Sequence, residues 1–301
     1  MKKVFLISFG LFLTYFHPVG AQSPRNIILD ADTANEVDDL YAIVRCFAAP
    51  EFNILALNAT QWQSSQWATA ESMEDSHRLN LLLASYLNVD GKTELRRGGH
   101  RRMYDWGDKA VHSAAAYKII EEARRQNDGE KLMIFALGAL TNVASALFIA
   151  PDIASKINVY WLGSTFDFEK NISGRNDFNA IMDPQALALL LSSQVEMHIM
   201  PVSEVGQMTS NFKEVKQQLE NLHPLGDFLI QRWFEHIDPN RKTRTLWDLA
   251  IIEAYLHPEW VTEEKSDAFE NKNIFLYRDI DTKRFLEDAM SKIAEKLKGL
   301  E

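Results

Sequence analysis

The chain has 301 residues, with 42 acidic against 32 basic side chains and a formal charge of −10. That acidity, without a dense basic stripe, argues against a protein that binds nucleic-acid backbones. A lone cysteine, Cys46, excludes an internal disulfide.

In chain order, Lys2 and Lys3 precede an apolar run from Val4 to Phe16, and Pro18-Val19-Gly20-Ala21 follows. This pattern predicts a secretory signal peptide over 1–21, cleaved before Gln22, and is too short and wrongly flanked for a membrane anchor. Residues 22–301 are then expected as one exported domain, periplasmic or secreted. Losing the two lysines takes the charge from −10 to −12. No later segment is long and apolar enough to cross a bilayer, so no membrane partner is expected after leader removal.

Ile27, Ile28 and Leu29 read as a buried strand, and Leu40 to Phe47 as a helix with Cys46 on its apolar side. Between them lie Asp30, Asp32, Asp38 and Asp39, at a strand-to-helix junction, where open α/β sheets bind ligands. That density of carboxylates raises their pKa values unless a cation offsets it, and a hard divalent metal suits oxygen ligands. Further strands are expected at 53–57, 132–136, 157–161 and 196–200. Helices are expected at 67–86, 110–125, 141–149, 184–191 and 283–297. The alternation predicts an α/β fold: a mostly parallel, doubly wound, Rossmann-like sheet with a mainly helical C-terminal part.

Other polar residues gather at the same strand ends. Gly138-Ala139-Leu140-Thr141-Asn142 combines a residue suited to a tight turn with helix caps. A loop then carries Asn171, Asp177 and Asn179, side chains able to bind vicinal hydroxyls, although such loops are often only turn chemistry. Asp183-Pro184 is an N-cap followed by proline at the first helical position. Late in the chain, Trp247-Asp248 opens an apolar helix.

Taken together, these segments resemble the calcium-dependent nucleoside hydrolases of the inosine-uridine preferring type, over roughly Asn26 to Tyr255. The carriers are Asp-x-Asp with a later Asp-Asp, Gly-Ala-Leu-Thr-Asn, the Asn171, Asp177 and Asn179 spacing, Asp-Pro-Gln-Ala, and Trp247-Asp248-Leu249-Ala250. The resemblance implies that Ca²⁺ is held by Asp32, Asp39, Asp248 and the backbone carbonyl of Thr141. It also implies that Asp32 is the general base toward a water that attacks the anomeric carbon. Asp38 would bind a ribose hydroxyl, Asn171 and Asp177 the 5′ side, and Asn179 the 3′ side. A small-molecule nucleoside is the implied partner, and a homo-dimer or homo-tetramer the implied assembly.

Several positions depart from the family pattern. Five residues separate Asp32 from Asp38 where three are usual, Ala34 replaces a glycine, and Asp177 replaces a glutamate. Gln61-Trp62-Gln63 stands where an Ala-Gly-Asn is usual, making Gln63 a candidate ribose contact. Trp247 replaces the histidine that protonates the leaving base, and indole is no acid near neutral pH. His236, His100 and Arg232 are then candidate donors, and Trp233, Trp106 and Tyr104 candidate stackers on the base. Two other readings compete: a haloacid-dehalogenase-like phosphatase using Asp30-Ala31-Asp32-Thr33, and a non-catalytic nucleoside or sugar binder.

Overall fold

Apolar side chains on successive strand residues point to opposite faces, and this alternation splits the core in two. The computed structural model describes residues 23–89, 91–103, 109–235 and 240–300. The expected leader at 1–21 lies outside them, as do His236, Trp106 and Tyr104.

In chain order the elements are β1 (Arg25–Ala31), α1 (Asp38–Ala48), β2 (Phe52–Ala59), α2 (Ser72–Tyr86), β3 (Glu94–Arg96), α3 (Ala114–Arg125), β4 (Leu132–Ala136), α4 (Thr141–Ile149) and β5 (Ile157–Leu162). A small hairpin of β6 (Thr165–Asp167) and β7 (Ile172–Gly174) leads to α5 (Phe178–Met182), α6 (Pro184–Ser192), β8 (Glu196–Met200) and α7 (Val202–Val205). Then come β9 (Thr209–Asn211), α8 (Phe212–Leu219), α9 (Pro224–Glu235), β10 (Thr243–Thr245), α10 (Leu249–Leu256), β11 (Thr262–Lys265), β12 (Ile274–Arg278) and α11 (Thr282–Lys298).

The main sheet has the order β11-β12-β8-β5-β4-β1-β2-β3. All pairings in it are parallel except β11 with β12. On one face Ile27, Leu29, Met133 and Phe135 pack with α1, α2 and the C-terminal helices α8 to α11. On the other, Ile28, Leu132, Ile134 and Trp161 pack with α3, α4 and α6. The chain leaves β1 toward β2 on one side and returns through α3 to β4 on the other. The tips of β1 and β4 therefore form a topological switch point, and the aspartates stand there.

The C-terminal part is less helical than expected. β12 adds a parallel strand beside β8, and β11 closes the edge antiparallel to it. The polar run Thr262-Glu263-Glu264-Lys265 has no buried face to betray a strand, and its charges suit an exposed edge. α2 starts at Ser72 and α3 at Ala114, later than their apolar periodicity suggested. Ser113 fixes the start of α3, its hydroxyl accepting from the Ala116 backbone N–H (3.1 Å). Cys46 is buried, and burial pushes its thiol pKa up. Among the described residues no helix is long and apolar enough to cross a membrane.

One buried side chain ties the switch point together. Asn142, fully buried on α4, donates to Asp30 Oδ1 (2.9 Å) and the Ala59 carbonyl (3.1 Å) and accepts from the Gly99 N–H (2.8 Å). Removing it strands groups on β1, β2 and the loop after β3 without partners. Asn142→Ala is expected to destabilise the fold by about 2–4 kcal/mol. Equilibrium unfolding in urea measures this, and a loss below about 1 kcal/mol would contradict the tie.

Candidate active site

The aspartate loop is held from outside its own strand. The Asn35 N–H donates to the Asp32 carbonyl (2.7 Å), Thr33 Oγ1 donates to Asn80 Oδ1 (2.6 Å), and Ser76 Oγ accepts from the Ala34 N–H (3.4 Å). The loop is thus pinned to α2 and delivers Asp38 and Asp39 as the first residues of α1, where the helix dipole favours negative charge. Asp248 stands at the N-terminus of α10, and its backbone N–H donates to Asp38 Oδ2 (3.3 Å). The carboxylates of Asp38, Asp39 and Asp248 lie within 4.8 Å of one another.

Asp32 approaches from β1 because Gly138 faces it. A Cβ on Gly138 would lie 2.8 Å from Asp32 Cγ, so that glycine serves close approach rather than a left-handed turn. Asp30 is buried behind the cluster on Asn142 and does not line the cavity. It supports the cluster and is not presented as a phosphatase nucleophile would be.

Asp32, Asp38, Asp39 and Asp248 are each 4% exposed or less. Burial first, then mutual repulsion, pushes their pKa values up. Asp38 rises to about 7 through burial and then Glu36. Asp32 rises through burial and then Asp38, Asp39 through burial and then Asp248, and Asp248 through burial and then Asp38. Asp32 Oδ2 and Asp39 Oδ1 have no hydrogen-bond partner. Buried carboxylates without a counter-charge cost several kcal/mol each, so this arrangement calls for a cation. An all-oxygen set with unpaired lone pairs fits a hard divalent ion.

Beside the cluster is a cavity of about 260 Å³, walled also by Asn35, Glu36, Leu137, Asn176, Asp177, Asn179 and Trp247. Among the described residues, no Lys, Arg or His lines it. Asn179 donates both amide hydrogens, to the carbonyls of Leu137 (3.0 Å) and Leu162 (2.9 Å), which leaves its Oδ1 for a ligand. Asp177 caps α5. Its Oδ1 accepts from the N–H of Asn179 (2.9 Å), and its Oδ2 accepts from the N–H of Ser164. The side chain one methylene shorter than glutamate is therefore spent on its own backbone, and burial lifts its pKa to about 6.

Three sequence-derived positions are not brought to the cavity. Asn171 is exposed, with φ +56° where the β6–β7 connection turns, and donates to Asp267 Oδ1 (2.8 Å); Asn176 lines the wall instead. Gln63 faces a separate polar cleft with Ser64, Thr69 and Arg102. Thr141 already belongs to α4, and its hydroxyl donates to Asp183 Oδ2 (2.7 Å). The residue that the end of β4 places on the cavity is Leu137, four positions earlier.

Trp247 and Phe178 add aromatic surface to the cavity lining. Phe178 stacks on Trp67 (5.8 Å between centroids), whose Nε1 donates to Asn35 Oδ1 (3.1 Å). Glu36 lies 3.5 Å from the buried guanidinium of Arg244. Of the other candidates for the base end, the three that are described do not line the cavity. Trp233 is fully buried, edge-to-face with Tyr41, Arg232 pairs with Glu235, and His100 is exposed on the loop after β3. Sequence reading missed Asn35, Glu36, Asn176, Phe178 and Leu137. Only the unusual length of the aspartate loop hinted at the first two.

A family model for inosine-uridine preferring nucleoside hydrolases matches residues 27–287. A probable uridine nucleosidase 1 of Oryza sativa subsp. japonica is 25% identical over 264 residues, covering 79% of each chain. The non-specific ribonucleoside hydrolase RihC of Salmonella paratyphi B is 24% identical, covering 79% of this chain and 80% of its own. The fold matches that of a purine-preferring ribonucleoside hydrolase from Gardnerella vaginalis with a TM-score of 0.72, at 20% identity over 91% of this chain and 99% of that one. With the family model spanning every cluster aspartate and the cavity walls alike, the chain belongs to the inosine-uridine preferring nucleoside hydrolase family.

Proposed function

We propose that the protein hydrolyses the N-glycosidic bond of ribonucleosides to ribose and free base, with Ca²⁺ at the aspartate cluster. The observation that carries this reading is the set of four buried carboxylates, two with unpartnered oxygens, facing a cavity that no Lys, Arg or His lines among the described residues. Asp32, Asp39 and Asp248 would hold the ion, with the Leu137 carbonyl as the backbone oxygen nearest in place to the expected one. Bound there, Ca²⁺ offsets the cluster's charge and eases deprotonation of a water.

Asp32 accepts the proton of the attacking water, and its unpaired Oδ2 is the atom for that step. The water oxygen bonds to the anomeric carbon while the carbon–nitrogen bond breaks, and its electron pair leaves with the base, which takes up a proton. Asp38 accepts from a ribose hydroxyl, as does Asn179 Oδ1. The carboxylate cluster favours the positive charge that develops on the sugar. Trp247 and Phe178 offer aromatic surface to the departing base.

Ribose release from a panel of purine and pyrimidine nucleosides, with calcium and with chelator, tests the reading. Calcium-dependent release is expected for at least one nucleoside, and Asp32→Asn should lose about 10²–10⁴-fold in kcat. Tight nucleoside binding without turnover would make the protein a non-catalytic binder.

Trp247→Ala should lower kcat/KM for nucleosides by about 10–100-fold, the worth of one base–aromatic stack. It should change p-nitrophenyl riboside cleavage far less, because that leaving group departs unaided. Equal losses on both substrates would remove Trp247 from the base end.

Metal and pH are linked through the cluster. Asp30 and Asp38 titrate near 7 when folded and near 4 when unfolded, so their stabilising protons are fully present below about pH 4 and are lost as pH rises through 7. The metal-stripped protein is expected to melt at lower temperature at pH 8 than at pH 6. Saturating calcium, which takes the protons' place, should raise Tm more at pH 8. A calcium increment independent of pH would contradict cation binding at these carboxylates.

A further inference from the structure

Two helices present the cluster carboxylates, and each contains one further charge. In α1 (Asp-Asp-Leu-Tyr-Ala-Ile-Val-Arg-Cys-Phe-Ala) it is Arg45, and in α10 (Leu-Ala-Ile-Ile-Glu-Ala-Tyr-Leu) it is Glu253. Both are buried, at 3% and 0% exposure, and Arg45 Nε lies 2.7 Å from Glu253 Oε1. The contact is short but off the hydrogen-bond direction, so neither glutamate oxygen gains a formal hydrogen bond. Arg45 Nη2 also reaches Asp288 Oδ2 on α11 (2.9 Å), and His257 Nε2 reaches the same oxygen (3.2 Å) while its ring stacks on Trp260. Glu253, His257 and Asp288 are close enough to hold a cation, but the Arg45 guanidinium already supplies the positive charge among them.

Arg45 follows Asp38 by seven residues, two helical turns on the same face, or about 10 Å along the axis. Glu253 follows Asp248 by five. The helices are therefore joined twice: at their N-termini by the Asp248 N–H to Asp38 Oδ2, and again by the ion pair, about two turns deeper along α1 and about one and a half along α10. Leu40, Ile43, Ile251 and Ile252 of the two helices belong to one buried apolar cluster, whose contacts are non-directional and set axial register less sharply than an ion pair does. An ion pair tolerates axial slip less, because a shift would take from buried Glu253 its nearest counter-charge and leave Arg45 with Asp288 alone. Replacing a buried pair by apolar side chains is often neutral or stabilising, so this pair is poorly explained by stability alone.

We propose that Arg45 and Glu253 are positioning residues for the calcium site, fixing the axial register of α1 against α10 so that Asp39 and Asp248 converge on one ion. This rests on the calcium reading given under the proposed function. The pair touches neither substrate nor metal; it acts through the helices whose first residues do.

The test compares the wild-type protein with Arg45→Lys, which keeps the charge but loses the planar fork, and with Arg45→Met/Glu253→Leu, which removes both charges at similar volume. Calcium affinity by titration calorimetry without substrate, Tm, and kcat with a nucleoside are measured well below the melting temperature. Both variants are expected to bind calcium at least tenfold more weakly, with kcat falling in step, while the double variant melts within a few degrees of wild type or above it. Calcium affinity within twofold of wild type in either folded variant overturns the proposal, whatever happens to Tm. Should the double variant not fold, Arg45→Lys decides the matter alone. A wild-type protein that binds no calcium fails the underlying functional reading instead, and that result is visible before any variant is made.

Discussion

Four carboxylates brought together away from water impose the constraint on which the structure turns. Burial pushes all four pKa values up, and repulsion adds to it, from Asp38 on Asp32 and Asp248 and from Asp248 on Asp39. The fold offsets part of this with fixed dipoles: Asp38 and Asp39 open α1, and Asp248 opens α10. The rest is left open, in oxygens without partners. A fold that satisfied every one of those atoms internally would be more stable and would have no use for an ion.

Convergence of these groups depends on parts that never touch the site. Gly138 lets Asp32 approach β4, Asn142 fastens Asp30 to β2 and the loop after β3, and Asn80 and Ser76 hold the aspartate loop against α2. The sheet order supplies the common origin, since the tips of β1 and β4 open where the chain reverses its direction of winding. Asp248 is recruited from more than two hundred residues away by the packing of α10 on α1. Long-range placement of this kind is a property of packing and leaves no local trace in the sequence.

That difference explains what could be read from the chain. The buried central strands and the helices packed on them carry strong periodicity, and they were legible together with the aspartate cluster itself. The edge strands β3 and β11 are short or polar, and their identity comes from the neighbouring strand rather than from their own residues. Among the site residues, Asp32 after β1 and Asp38, Asp39 and Asp248 at helix starts come together at the cavity. Asn171 sits at a turn, where a single left-handed residue sends the side chain to Asp267 and away from the cavity. Thr141 was carried over by motif, but it opens α4 with its hydroxyl on Asp183, and the end of β4 puts Leu137 on the cavity instead. Spacing transfers between relatives only as far as the local backbone does.

The aromatic part of the cavity wall follows a different physical logic from the aspartate cluster. It is formed by Trp247 and Phe178 backed by Trp67, and its one carboxylate, Glu36, is offset by buried Arg244. The loop longer by two residues puts Asn35 and Glu36 on that wall, and Asn35 is steadied by the indole of Trp67. With no histidine among the described lining residues, none of the described side chains there is placed to protonate a departing base. The cluster does the complementary work, because surplus carboxylate charge beside the anomeric carbon favours the cationic sugar that forms as the bond breaks. Losing an acid on one side of a dissociative transition state is tolerable to the extent that the other side stabilises the cation. For this chain the weight of catalysis therefore shifts toward the metal and the aspartates, and selectivity for the base toward stacking and shape.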